Sequence, residues 1–299
     1  MDLGLEVRTE GTFREAAELR VGRAFLVVCV GHGPATKTRG RGRRVYHRRH
    51  VKGVTSQKGA PAMFMDSTYL MLIIITMVLG FAAQAWISHA YKKYSRVANG
   101  TGMTGRQIAR RMLDDNGLES VTIKRVSGTL SDHYDPRTRS IALSEGIYDT
   151  ASVSAMAVAC HECGHAVQHA RKYAPMSIRS ALVPVANFGS SAWLILILAG
   201  VFLNLMGLIW LAIALYAFAV LFHVVTLPVE LNASRRGMGY IRGNDTGVVD
   251  SRMALAPEGS DVARGARKVL TAAAMTYVVG ALTSIMELLY YIHIFAGRD

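Results

Sequence analysis

Two histidines and a glutamate stand together in His161-Glu162-Cys163-Gly164-His165. Residues four apart on an α-helix project about 40° from one another, so both imidazoles can converge on one divalent ion. In that arrangement His161 and His165 chelate zinc, and Glu162 sits beside the metal rather than on it. From there Glu162 can take a proton from a zinc-bound water and hand it to a leaving amine. This is the chemistry of a metallopeptidase. The competing reading is two surface histidines on an ordinary helix.

The surroundings favour the first reading. Thr150 to Cys160 runs into the motif without Gly or Pro, and Asp149, Thr150 or Ser152 is available as N-cap, so a helix is expected. Gly164 lowers helix propensity but removes bulk beside the metal, where a substrate backbone must approach. Cys160 and Cys163 form a C-x-x-C that overlaps the motif on the same helix, and with Cys29 they offer no framework of paired spacings. They read as inert helix cysteines in a reducing compartment.

A catalytic zinc usually has three protein ligands plus water, so one is missing. His169 follows one turn later but lies about 80° round from His161, too far to complete a compact tripod on a straight helix. Glu230 is the better candidate. It is the first charge after the 50 residues Ser180 to Val229, which contain no Asp, Glu, Lys or Arg, and a helix-compatible run, Leu231-Asn-Ala-Ser-Arg-Arg236, follows it. Glu230 can meet His161 and His165 only if the chain between them crosses a bilayer an even number of times. Two spans with a turn at Leu203-Asn-Leu-Met-Gly207, and with Pro184 and Pro228 marking the ends, satisfy this.

The elements that must position these groups are mostly apolar. Hydrophobic residues make up 51% of the 299 and charged residues 18%, short of the quarter expected of a soluble domain. The chain therefore reads as mainly α, a helical membrane protein with about four transmembrane helices and a small α+β, zincin-like catalytic domain. The formal charge of +13 does not point to nucleic acid, because outside the N-terminal run Lys and Arg are scattered through loops with no aromatic-plus-basic strand pattern.

In order, residues 1–62 carry 13 Lys and Arg against 5 Asp and Glu and are expected to be disordered or a non-native extension, with the biological start near Met63 or Met65. A first span occupies 63–91 and the catalytic part 92–179. The transmembrane hairpin occupies 180–229, the third-ligand helix and loop 230–268, and a last span with the C-terminus 269–299, the span from Val269 to Phe295 being interrupted by Glu287 near the far interface. Within the catalytic part, Thr104 to Gly117 has apolar residues at 108, 109, 112 and 113 and is expected to form an amphipathic helix. Val121 to Val126 and Arg139 to Leu143 are expected to be two small strands around a turn at Ser131 to Pro136. The free edge of a strand beside the zinc helix can bind an extended peptide irrespective of its sequence. Lys92, Lys93, Arg96, Arg171, Lys172, Arg179, Arg235, Arg236, Arg242, Arg264, Arg267 and Lys268 fall on one side in this topology, which puts the site at the cytoplasmic face.

Five segments together carry a resemblance: Ser131-Asp-His-Tyr-Asp-Pro-Arg137, Leu143-Ser-Glu-Gly146, His161 to His169, Arg179 to Gly189, and Leu227-Pro-Val-Glu-Leu-Asn-Ala-Ser-Arg-Arg236. They resemble the bacterial membrane-bound neutral zinc metallopeptidases of the YugP type over about Met65 to Phe295. More distantly the chain is similar to the HtpX and CAAX-prenyl protease group, whose third ligand is the Glu of a Glu-x-x-x-Asp motif. The resemblance implies Zn2+ held by His161, His165 and Glu230, with Glu162 as base, in a multi-pass protein of the bacterial plasma (inner) membrane. Ser234 departs from the distant group, standing where its Asp supports a zinc histidine; a serine can still hydrogen-bond there, without the charge. His223 and Arg235 flank the ligand helix as candidates for stabilising an oxyanion. The expected partners are the lipid bilayer and a peptide or protein substrate, with no nucleic acid. The rival to an endopeptidase is a zinc-binding membrane scaffold or inactive protease homologue, which Glu162 counts against, because a structural site gains nothing from a base there.

Overall fold

A computed structural model describes residues 66–244 and 254–296. The basic segment 1–62, with Cys29, lies outside the described residues. The chain opens with the apolar helix α1 (Ser67–Tyr94), followed by α2 (Gly105–Asp115). Thr104 caps α2 through a capping box with Gln107, and Ile108, Ala109, Met112 and Leu113 are its buried face, as the spacing predicts. Strands β1 (Thr122–Val126), β2 (His133–Asp135) and β3 (Ser140–Ser144) come next, then a single turn, α3 (Glu145–Tyr148). The zinc-motif helix is α4 (Val153–Ala170), and three long helices close the fold: α5 (Ala174–Phe202), α6 (Met206–Arg242) and α7 (Asp261–Ala296).

Helices α1, α5, α6 and α7 are long and apolar enough to cross a bilayer. Their outward faces carry Phe81, Phe188, Ile195 and Phe202, all exposed. Apolar surface on that scale calls for lipid around it. Their inward faces form one core around Tyr69, Trp193, Ile197, Ile213 and Tyr291. A second core lies beneath α4, built from Ile108, Met112, Ile141, Leu143, Met156 and Cys160.

Three details differ from the sequence expectation. The segment Ser131 to Pro136 is not simply a turn but contains β2, whose Tyr134 is buried against β3. The sheet runs β1-β3-β2, with β3 parallel to β1 and antiparallel to β2, so β3 is flanked on both edges and buried throughout. Pro184 and Pro228 do not mark helix ends; both lie inside helices. A proline forfeits one backbone hydrogen bond, which a long helix packed among neighbours tolerates. Finally, α6 does not divide after Val229. It runs unbroken from the hairpin turn at 203–205 through Glu230 to Arg242, so one rigid rod carries both the apolar span and the carboxylate.

Candidate metal centre

Helix α4 starts at Ser152, whose hydroxyl accepts from Ala155 N. Thirteen of its first fifteen residues face other protein atoms closely enough to be buried, so the motif lies on an internal helix rather than on the surface. α4 packs against α6 through two glycines. A Cβ on Gly164 would fall 2.6 Å from Ala233 O, and one on Gly237 would fall 3.0 Å from Cys160 C and O. Gly164 is therefore required by the neighbouring helix, whose backbone fills the space, and not by a substrate.

This close approach brings the three expected ligands together. Glu230 Oε2 lies 3.2 Å from His161 Nε2 and 3.5 Å from His165 Nε2. One donor atom from each of the three residues falls within 4.8 Å of the other two. Donors about 2.0–2.1 Å from a tetrahedral zinc stand roughly 3.3–3.4 Å apart, so the two short separations match its edges. His165 and Glu230 are each 3% exposed in their side chains and His161 13%. Glu162 is buried beside them, and its Oε2 has no hydrogen-bond partner among the described residues.

The surrounding hydrogen bonds fix the donor atoms. Gln168 Nε2 donates to the Val229 carbonyl at 2.7 Å and to Asn232 Oδ1 at 3.0 Å. Its Oε1 must therefore accept from His165 Nδ1, 3.0 Å away. A proton on Nδ1 leaves the Nε2 lone pair of the neutral ring aimed at Glu230. A lone pair and a carboxylate oxygen facing each other call for a cation between them, and a His2Glu donor set suits zinc. Ser234 Oγ lies 3.1 Å from His161 Nδ1, so the serine reaches one of the two motif histidines.

Other sequence candidates fall elsewhere. His169 turns to the Tyr134 hydroxyl at 2.8 Å and lies outside the three-residue cluster. His223 Nδ1 meets Ser284 Oγ of α7 at 3.0 Å, and Arg235 lines a groove between α6 and α7. Glu287 accepts from the Tyr216 hydroxyl at 2.6 Å within the apolar core. Cys160 and Cys163 are free and fully buried, and burial pushes both thiols above their ordinary pKa, which disfavours the reactive thiolate.

Three residues near the centre escaped sequence reasoning in their site roles: Gln168, Arg179 and Asp132. Asp132 accepts from Ser144 N at 2.7 Å and Ser144 Oγ at 3.1 Å, which ties the β1–β2 loop to the end of β3. Burial first, and then the charge of Glu162, pushes its carboxyl from 3.8 up to about 6. The signal for Asp132 lay in the Ser131-Asp-His motif, which the sequence offers without saying what it touches.

The chain matches the family model described as "Putative neutral zinc metallopeptidase" over residues 69–296. It is 42% identical over 238 residues to a Bacillus subtilis (strain 168) protein described as "Putative membrane protease YugP", an alignment covering 77% of this chain and 98% of that protein. No solved structure matches it. With helices fit to cross a bilayer and a donor set that fits zinc, the chain belongs to this neutral zinc metallopeptidase family.

Proposed function

We propose that the chain is an integral membrane zinc endopeptidase in which His161, His165 and Glu230 hold the metal and Glu162 is the general base. The observation that carries this reading is the meeting of Glu230 Oε2 with both imidazole Nε2 atoms, next to a buried carboxylate with an unpartnered oxygen. Zinc, when bound, supplies Lewis acidity, lowering the pKa of water and polarising a scissile carbonyl. Glu162 accepts the proton of the attacking water and carries it to the departing amine. Gln168 holds His165 in the tautomer that offers Nε2, and Ser234 steadies His161 from behind.

The basic residues grouped on the metal-centre side of the long helices favour the cytoplasmic face of the bacterial inner membrane, with peptide or protein substrates reaching the centre from there. The test uses purified protein in detergent. Glu162→Gln retains zinc and loses peptide cleavage by a factor on the order of 10²–10⁴, while His161→Ala and Glu230→Ala lose the metal itself. Cleavage undiminished in Glu162→Gln refutes the mechanism. Zinc without cleavage in the wild type, across a broad set of unfolded proteins, favours the scaffold.

A further inference from the structure

Arg179 is the single charged residue of the 29-residue helix α5. Its neighbours Arg171 and Lys172, just before the helix, are exposed, but the Arg179 side chain keeps only 14% of its surface. A guanidinium so far removed from water requires a partner. Its Nη1 lies 3.7 Å from Glu230 Oε1, an ion pair. The other oxygen of that carboxylate, Oε2, faces His161 and His165. The guanidinium also rests over the ring of Phe222, 5.8 Å from its centroid and two turns before Glu230 on α6. Arg179 is thus held between an aromatic face and the carboxylate, and the two carboxylate oxygens have separate partners.

We propose that Arg179 is a positioning residue of the metal centre: by engaging Glu230 Oε1 it leaves Oε2 as the one oxygen that the carboxylate offers to zinc. This rests on the reading of Glu230 as the third ligand. A carboxylate with both oxygens free can chelate through both, and the second bond occupies the position that water or substrate needs. Hydrogen bonds do not supply the restraint, because Glu230 Oε1 has no hydrogen-bond partner among the described residues. The cationic neighbour is the contact that distinguishes the two oxygens.

The test replaces zinc by Co2+ in the intact detergent-solubilised protein and reads the visible d–d absorption, whose intensity falls when coordination rises from four to five. Arg179→Met is expected to bind one Co2+ per chain, as the wild type does, with absorption several-fold weaker. Arg179→Lys, which returns a cation to the same place, is expected to recover most of the intensity. A wild-type spectrum in Arg179→Met, or a lysine variant as weak as the methionine variant, overturns the proposal. If Arg179→Met does not fold, Arg179→Gln carries the same comparison. Glu230→Gln separates this proposal from its premise: if that variant binds Co2+ with the wild-type spectrum, Glu230 is not a ligand and the site reading itself fails.

Discussion

The imidazole of His165 is useful to a metal only in one tautomer, and a residue with no metal-binding chemistry decides which. Gln168 spends its amide nitrogen on Val229 and Asn232 and has only its oxygen left for His165 Nδ1. Gln168→Leu is expected to lower zinc affinity about 10- to 100-fold while leaving all three donors in place, measured by competition with a chromogenic chelator. The pairing of His161 with His165 was legible in the sequence, because a four-residue spacing is local geometry, and Glu230 was legible only as the first charge after the long apolar stretch. Gln168 was not, since its role depends on a carbonyl 61 positions away. Arg179 was hidden for a related reason: in sequence it is one more basic residue beside an apolar segment. Asp132 provides a test by pH. Its carboxyl is raised from 3.8 to about 6, so its ionisation costs the folded state stability above that value, and the cost fades as pH falls toward 3.8. The wild type should therefore gain melting temperature relative to Asp132→Asn as pH drops from about 7 to about 5. A difference that stays flat over this window would show that Asp132 is not perturbed.

Helices α4 and α6 meet through backbone, and that contact sets the distance between imidazoles and carboxylate. Gly164→Ala would put a methyl group 2.6 Å from the Ala233 carbonyl oxygen, where no flexible side chain can yield. The expected cost is about 1–3 kcal/mol of stability, together with loss of zinc as α6 is displaced. Gly237→Ala meets Cys160 at 3.0 Å and should do the same more mildly. Thermal unfolding and metal content of the two variants check both statements. Sequence reasoning located Gly164 but gave it the wrong neighbour, because a glycine in a motif does not reveal which side is crowded. It likewise found the helix at Thr104 from the apolar spacing at 108, 109, 112 and 113, yet missed β2. Three residues with one buried tyrosine are too short to show alternation.

Across the whole molecule, the centre exists because α5 and α6 run antiparallel about a three-residue turn at 203–205. The absence of charge over fifty residues, with one plausible turn in the middle, made this hairpin legible. Which loops would share a membrane face follows from it. In a chain carrying Cys29→Ser, a reagent that does not cross the bilayer should label Asn204→Cys from one face and Arg171→Cys from the other, Cys160 and Cys163 being buried. Labelling of both from the same face would remove the hairpin. The unbroken α6 has a further consequence for biosynthesis. On the proposed ligand set, a nascent chain emerges with Glu162 and both histidines already made, but Glu230 follows only after the apolar lengths of α5 and α6, towards the far end of the second. Until that rod has been threaded and has swung against α4, the polypeptide has two-thirds of a metal grip. A chain built in this order, on that ligand set, cannot close its metal site until its own insertion is complete.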